Sequence, residues 1–246
     1  YDGGATSAWT QDREMGYDDV ARLLSSLLQE NGPLHLVGHS FGGGVALRLA
    51  ATHPECVRTL TLMEPGAYQL LQEAGRDDLW LDFQRVMDAF RGAVAEGDPD
   101  TAWALFFEAY CSHVGPWRAL PEATREAIKK KTPAQLRVYG AQASNPTRLS
   151  HIRQLACPTL VIHGQASQAP ERAVCELIAT HAPLGRIDPA KINPNGSSLA
   201  AGHPFAATGA RIVATAAKLL KEKGKGRALI SVCTAGGMGV AAIVER

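Results

Sequence analysis

One serine lies in a pattern whose residue types and spacing suit nucleophilic chemistry. Ser40 is the centre of Gly38-His39-Ser40-Phe41-Gly42, a G-x-S-x-G pattern with an apolar run before it and a helical pattern after it. A sharp turn between strand and helix would expose the hydroxyl at a helix N-terminus, where the helix dipole favours negative charge. The flanking glycines are expected because side chains there would collide with neighbouring backbone. We predict Ser40 as the attacking group and the N–H of Phe41 as one oxyanion donor.

The elements that must position Ser40 follow from the spacing of apolar residues. The pattern predicts helices over residues 18–30 and 43–53 and strands over residues 34–37 and 57–63. Strand, helix and strand in this order form a right-handed parallel crossover. Residues 67–150 show helical patterns and no strand-like run, which predicts an all-helical lid. Residues 158–164 resume the strand pattern, and a helix over residues 170–181 follows.

The segment LHLVGHSFGGGVALRLAATHPECVRTLTLMEPG resembles the nucleophile-elbow region of the α/β-hydrolase superfamily, which contains esterases, lipases and C–C bond hydrolases. The resemblance extends through the lid and PTLVIHG to about residue 187. It implies a serine hydrolase of an ester or related bond, which also needs an acid and a histidine base. Apolar lid side chains favour an apolar acyl or aromatic group in the substrate, although the same side chains pack lids onto cores. They are Leu79, Trp80, Phe83, Trp103, Phe106, Phe107 and Trp117.

Two carboxylates are candidates for the acid. In this superfamily the acid usually follows the strand that PTLVIHG resembles, yet Gln165-Ala166-Ser167 contains no carboxylate. Glu64 follows the preceding sheet strand, which is a less common location for the acid, and it could equally be a strand-end cap. Glu171 lies at the start of the next helix, where the helix dipole favours an acidic residue whether or not it is catalytic. We take Glu64 as the acid and Glu171 as the weaker candidate.

The base is assigned by resemblance alone. In the superfamily it lies after one more strand, in a short loop near A-G-H. Ala201-Gly202-His203 is the downstream match. His163 and His181 are interpreted as ordinary polar positions at a strand end and a helix end. His203 is therefore the predicted base, although its surroundings resemble a different family.

Residues 188–246 carry that second resemblance. This segment contains NPNGSSLAAGHPFAATGAR and, near its end, CTAGGMG. Its pattern predicts a helix over residues 207–222 and strands over residues 227–232 and 240–244. Together these features resemble the C-terminal segment of thiolases. The closest resemblance is to the thiolase subunit of fatty-acid β-oxidation complexes. It implies that His203 activates a nucleophilic cysteine, that Cys233 moves a proton at the α-carbon, and that the substrate is a coenzyme A thioester.

Each half lacks a part of its family's pattern. Nothing before residue 188 resembles the thiolase domain that supplies the nucleophilic cysteine, and Cys56, Cys111, Cys157 and Cys175 lie outside the expected loop. Residues 1–33 hold one helix, whereas α/β-hydrolases place several strands and an oxyanion loop before the elbow. We expect an N-terminally truncated hydrolase fragment (1–187), joined to a thiolase fragment (188–246), with an oligomer or partner chain covering exposed sheet edges. A thiolase-type acyltransferase needing a partner domain and a non-catalytic chimera are the alternatives.

Composition narrows the class further. The net charge of +1 gives no strong attraction to nucleic acid or to an anionic membrane, and no apolar run approaches a membrane span. Five cysteines without metal-ligand spacing favour a reduced, cytoplasmic setting and no metal site. No dinucleotide-binding fingerprint is present, so no cofactor is predicted beyond coenzyme A as a thiolase substrate. The predicted class is α/β: a partial α/β-hydrolase parallel sheet with a helical lid, followed by a thiolase-like loop-α-β-β segment, acting on a small molecule.

Overall fold

The computed structural model describes residues 14–31, 33–110, 117–164, 166–182, 207–233 and 239–246. The chain divides into two compact units, Tyr1–Gly185 and Arg186–Arg246. Among the described residues, no helix is long and apolar enough to cross a membrane.

A parallel sheet organises the first unit. Its three strands, in the order β1–β2–β3, are β1 (Leu34–His39), β2 (Val57–Met63) and β3 (Thr159–Ile162). His39 pairs with Met63, and Met63 pairs with Ile162, so the carboxyl ends of the strands are level. Ser40 and Glu64, which directly follow β1 and β2, therefore come to one edge of the sheet, where ligands bind in open α/β sheets.

Helices cover this sheet and fill the lid. They are α1 (Tyr17–Asn31), α2 (Ser40–Thr52), α3 (Gln69–Glu73), α4 (Asp77–Ala95), α5 (Pro99–Tyr110), α6 (Glu122–Lys129), α7 (Thr132–Ala143), α8 (Leu149–Arg153) and α9 (Ala169–His181). The predicted helices agree with α1, α2 and α9 to within a few residues. The predicted end of β1, at residue 37, is wrong: the strand continues to His39, and Gly38 pairs with Leu62 within the sheet.

The described residues between β2 and β3 contain helices and turns but no strand, as predicted for the lid. One face of α4 is buried, and the ring of Phe90 packs edge-on against Trp103, Phe106 and Tyr139. Such aromatic pairs stabilise by about 0.5–1.5 kcal/mol beyond the area they bury. The lid aromatic side chains belong to the same buried cluster as Leu60 and Leu62 of β2, which supports the packing interpretation of these residues.

Among the described residues, β1 pairs with β2 alone. An apolar groove of about 240 Å³ lies beside β1. It is lined by Val20, Leu24, Leu36, Val37, Gly42, Val45, Ala46 and Leu49. A strand edge next to apolar side chains is a surface that proteins usually cover. The partner chain or oligomer expected there stays a prediction.

The described residues of the second unit form one helix and a pair of strands. These are α10 (Ala207–Lys223), β4 (Arg227–Cys233) and β5 (Gly239–Glu245). The strands pair antiparallel, from Arg227 opposite Glu245 to Cys233 opposite Gly239. Helix α10 packs on this pair of strands. The helix and both strands match the α-β-β order predicted for this segment.

Candidate active site

Ser40 lies at the junction of β1 and α2 in a strained backbone conformation. Its φ is 50°, in the left-handed region, and it is the first residue of α2. Ser40 is partly exposed, and its carbonyl oxygen accepts a hydrogen bond from the N–H of Gly66 at 2.7 Å. A non-glycine residue at such a φ costs about 1–3 kcal/mol and persists only where its surroundings hold it. The sharp turn is as predicted; the role of Ser40 as attacking group stays a prediction.

Close backbone packing requires glycine at three positions around this turn. A Cβ on Gly38 would lie 2.4 Å from the oxygen of Gly42, and one on Gly43 would lie 2.9 Å from Cα of Pro65. A Cβ on Gly44 would lie 2.4 Å from the ring of Tyr17. At Gly42 it would meet no atom within 4 Å. The predicted collision is therefore confirmed at Gly38 and wrong at Gly42.

Glu64 directly follows β2 and, like Ser40, is a non-glycine residue with a positive φ, 44°. Its Oε1 accepts a hydrogen bond from the N–H of Gly164 at 2.8 Å and another from the hydroxyl of Ser167. A Cβ on Gly164 would lie 2.6 Å from Oγ of Ser167, so the absence of a side chain at Gly164 lets the Ser167 hydroxyl come this close. The Glu64 carboxylate thus lies in the loop after β3, where the sequence itself offers no carboxylate. The same contacts cap the end of β3, so they fit both interpretations of Glu64.

The segment that follows Glu64 is tied to distant parts of the first unit. The carbonyl oxygen of Gly66 accepts hydrogen bonds from the hydroxyl of Tyr17 at 2.6 Å and from Nδ2 of Asn145 at 3.1 Å. Nε2 of Gln69 donates to the carbonyl oxygen of Thr147 at 2.8 Å. Sequence reasoning missed these residues. Their partners lie 49 to 79 residues away along the chain, and no local pattern indicates such pairs.

Glu171, the weaker acid candidate, is buried in the first turn of α9. Its Oε1 accepts a hydrogen bond from the hydroxyl of Tyr68 at 2.8 Å, and its Oε2 has no hydrogen-bond partner among the described residues. Burial raises the pKa of Glu171, and the nearby charge of Glu64 raises it further. The helix start is as predicted. The pKa of this carboxyl is nevertheless raised, because burial outweighs the favourable helix N-terminus.

Replacing Glu171 with glutamine should flatten the dependence of stability on pH. Because the folded-state pKa of Glu171 is raised, the folded protein holds this proton more tightly than the unfolded chain does. The wild type should therefore lose stability as pH rises from the ordinary value of 4.5 through the folded-state pKa, and the variant should not. Urea unfolding between about pH 4 and about pH 8 measures the difference.

Asp98→Asn is a control that removes a carboxyl whose pKa shift, and therefore whose effect on the pH dependence of stability, has the opposite sign. Hydrogen bonds from Thr101 lower the pKa of Asp98, so this carboxylate stabilises the folded protein at neutral pH and that contribution disappears as pH falls. An unchanged pH dependence in Glu171→Gln would contradict the burial argument.

The described histidines do not reach the predicted acid or nucleophile. His163 is exposed, with Nδ1 3.0 Å from the carbonyl oxygen of Gly164, and Nδ1 of His181 lies 2.7 Å from the carbonyl oxygen of Leu177. In the described residues no histidine forms a hydrogen bond with Ser40 or Glu64. His203 lies outside the described residues, so its assignment as base stays a prediction.

A model of the alpha/beta hydrolase fold matches residues 3–170, more than half of the 246 residues. The chain belongs to the alpha/beta hydrolase fold family. A candidate lipase from Acinetobacter baumannii AYE has a similar structure, with a TM-score of 0.52 and 16% sequence identity. The similarity covers 74% of this chain and 62% of that protein. At this identity the likeness concerns the fold alone.

The C-terminal part of this alpha/beta hydrolase family member also matches the thiolase C-terminal domain, over residues 171–246. A 3-ketoacyl-CoA thiolase from Shewanella sp. (strain W3-18-1) is 39% identical over 114 residues, which are 46% of this chain and 26% of that protein. One from Salmonella heidelberg (strain SL476) is 44% identical over 75 residues, 30% of this chain and 17% of that protein. The chain thus spans about a quarter of the length of the first of these relatives. Both family resemblances are confirmed.

The two families meet inside an element of the first unit. The thiolase match begins at Glu171, in the first turn of α9, yet α9 packs against β3, α3, α4 and α8. The compact units instead divide between Gly185 and Arg186. The residue at which the thiolase match begins, Glu171, therefore differs from the boundary between the compact units, which lies between Gly185 and Arg186. The junction after residue 187 stays a prediction.

Three cysteines of this hydrolase-fold chain, all in the first unit, lack the character of nucleophiles. Cys56, Cys157 and Cys175 are buried free thiols. Burial raises the pKa of Cys157 and raises that of Cys175 to about 12. Reactive cysteines instead have a lowered pKa and access to solvent. Cys233 is the last residue of β4, in the second unit.

The described part of the chain also holds no cluster of His, Cys, Asp and Glu suited to a metal ion.

Proposed function

We propose that this chain is a serine-type hydrolase that cleaves an ester or related bond carrying an apolar acyl or aromatic group. The observation that carries the proposal is the strained conformation of Ser40, at a φ of 50° between β1 and α2. Strain of this kind concentrates at active sites, where it presents a side chain in a fixed orientation. Ser40 is also only partly buried, which is compatible with access of a substrate to this residue.

The proposed reaction is acyl transfer through Ser40. Oγ attacks the carbonyl carbon of the substrate while the base takes the hydroxyl proton. The resulting oxyanion receives a hydrogen bond from the N–H of Phe41. Collapse of the tetrahedral intermediate breaks the bond to the leaving alcohol, to which the base returns the proton. Water then repeats the sequence on the acyl-enzyme and releases the acid and free Ser40.

Glu64 is the proposed orienting acid, and His203 the proposed base. Glu64 is held at the same sheet edge as Ser40 by Gly164 and Ser167, which supports its role because a triad acid must hold the imidazole in one orientation. The assignment of His203 rests on the A-G-H resemblance.

Labelling with a p-nitrophenyl alkylphosphonate tests the proposal. We expect a covalent adduct on the peptide that contains Ser40, detected by mass spectrometry. Glu64→Gln should slow labelling by roughly 10³- to 10⁴-fold, as removal of a triad carboxylate does. Glu73→Gln is the matched control: Glu73 also accepts a backbone hydrogen bond, from Leu149 at 2.9 Å, but lies outside the proposed site. An unlabelled wild type, or an adduct on another residue, would contradict the proposal.

Thiolase-type acyl transfer is the second candidate, favoured by the thiolase match over residues 171–246. In this case His203 and Cys233 take the roles that the resemblance implies, and a partner domain supplies the nucleophilic cysteine. Coenzyme-A-dependent cleavage of a 3-ketoacyl-CoA, present only when such a domain is added, distinguishes it from the hydrolase. If a sample of the correct intact mass shows neither activity, the chain is a non-catalytic chimera.

A further inference from the structure

Tyr68 and Glu171 form a buried hydrogen bond that neither proposed reaction uses. The hydroxyl of Tyr68 donates to Oε1 of Glu171 at 2.8 Å, and the two residues are 3% and 7% exposed. The Tyr68 ring stacks on Phe83 of α4, with centroids 3.7 Å apart and planes inclined by 11°. The ring is therefore fixed by the lid, and its hydroxyl is directed at the start of α9.

Among the described residues, this pair is the second link between two short segments. Glu64 and Tyr68 belong to the segment after β2, residues 64–68, while Ser167 and Glu171 belong to the segment after β3, residues 164–171. At one end the Glu64 carboxylate accepts hydrogen bonds from the second segment, including the one from Ser167. At the other end the Tyr68 hydroxyl donates to Glu171. Each segment thus supplies both a donor and an acceptor, and the two links together restrict sliding of one segment along the other.

We infer that Tyr68 and Glu171 are positioning residues, whose buried hydrogen bond keeps the two segments aligned so that the Glu64 carboxylate stays on Gly164 and Ser167. The inference rests on the proposed function insofar as Glu64 is the acid. Glu64 needs such support because its φ of 44° is strained and would relax if the segment moved. Displacement of a catalytic group by about 1 Å can cost on the order of 100-fold in rate.

Stability alone does not account for this pair. Oε2 of Glu171 has no hydrogen-bond partner among the described residues, and a buried polar atom without a partner destabilises the folded state. Two apolar side chains of similar volume would fill the same space without that penalty. A directional link is what Tyr68 and Glu171 provide and apolar side chains do not.

Phosphonate labelling of Tyr68→Phe tests the inference, because this variant keeps the stacked ring and removes only the hydroxyl. We expect the limiting rate of labelling to fall about tenfold, with the phosphonate concentration at half-maximal rate unchanged. Glu171→Leu should have the same effect, since it removes the acceptor together with the unpaired oxygen. Glu171→Gln keeps a carbonyl acceptor for Tyr68 and should label at nearly the wild-type rate.

Thr132→Val is the matched control for loss of a buried hydrogen bond. Oγ1 of Thr132 accepts from Nε1 of Trp103 at 2.9 Å and links α5 to α7 without involving either segment. It should lower stability but leave the limiting labelling rate unchanged. If Thr132→Val slows labelling as much as Tyr68→Phe does, or if Tyr68→Phe and Glu171→Leu label at the wild-type rate, the inference is wrong.

Hydrogen exchange separates failure of this inference from failure of the proposed function. The N–H of Gly164, bonded to Glu64, and the N–H of Glu64, bonded to the carbonyl oxygen of Ile162 at 3.0 Å, report the alignment without any reaction. Both should exchange faster in Tyr68→Phe and Glu171→Leu than in Thr132→Val. If the wild type is not labelled but exchange responds in this way, the proposed function fails and the positioning role stands. Unchanged exchange contradicts the positioning role in either case.

Discussion

Replacing Ser40 with glycine is expected to abolish phosphonate labelling and to raise the melting temperature at the same time. Loss of labelling follows from loss of the hydroxyl, which costs on the order of 10⁶-fold in kcat when a triad serine is removed. The gain in stability follows from the φ of 50°, which glycine adopts without steric cost. Relief of about 1 kcal/mol corresponds to a rise of roughly 2–4 °C for a domain of 150–250 residues.

Ser40→Ala separates the two effects because alanine removes the hydroxyl but keeps Cβ and hence the strain. It should be unlabelled and melt close to the wild type. The hydrogen bond from Gly66 to the carbonyl oxygen of Ser40 involves only backbone, so all variants keep it. Ser150→Gly, at an exposed position of α8, should instead lower the melting temperature, as glycine does within helices.

The pair of Ser40 variants also has an outcome that contradicts the strain argument. If Ser40→Gly melts below Ser40→Ala, the conformation of this turn is not stored strain. If Ser40→Ala is labelled at the wild-type rate, the nucleophile is another residue. Thermal melting and labelling of one set of samples give both answers. A protein that becomes more stable on loss of its nucleophile has retained strain for function.

Local pattern predicts the strand, helix and strand around Ser40 because the apolar spacing changes from alternation to a helical period and back. It places the helices within a few residues of α1 and α2. It fails at the end of β1 because glycine signals a turn in isolation, whereas Gly38 lies in the sheet opposite Leu62. Gly38 is held in the strand by its pairing with β2, which comes after α2 in the sequence, so the residues next to Gly38 do not reveal it.

The candidate site is predictable only as far as its residues are adjacent to strand ends. Glu64 is found in this way, but its contacts with Gly164 and Ser167 join residues 100 and 103 positions apart. The burial of Glu171 is invisible for a related reason. An acid in the first turn of a helix has the same sequence signature whether it faces solvent or, as here, the hydroxyl of Tyr68.

Replacing Gly38 with alanine is expected to prevent folding or to lower the free energy of unfolding by more than about 4 kcal/mol. The added methyl would lie 2.4 Å from the oxygen of Gly42, 2.8 Å from its carbonyl carbon and 2.7 Å from Cα of Gly43. All three are backbone atoms at the start of α2, so no side-chain rotation relieves the clash. A loss of this size is a large fraction of the roughly 5–15 kcal/mol that keeps a domain folded.

Gly42→Ala makes the same chemical change four residues later and should be harmless, because the methyl there meets no atom within 4 Å. It should even stabilise α2 by about 0.5–1 kcal/mol, since alanine restricts the unfolded backbone more than glycine does. Soluble yield and urea unfolding of the two variants measure the difference. Equal damage from both substitutions would show that G-x-S-x-G needs glycine at both ends for a reason other than packing. The expected contrast would instead show that, within the five-residue pattern, the steric requirement for glycine lies at Gly38 and not at Gly42.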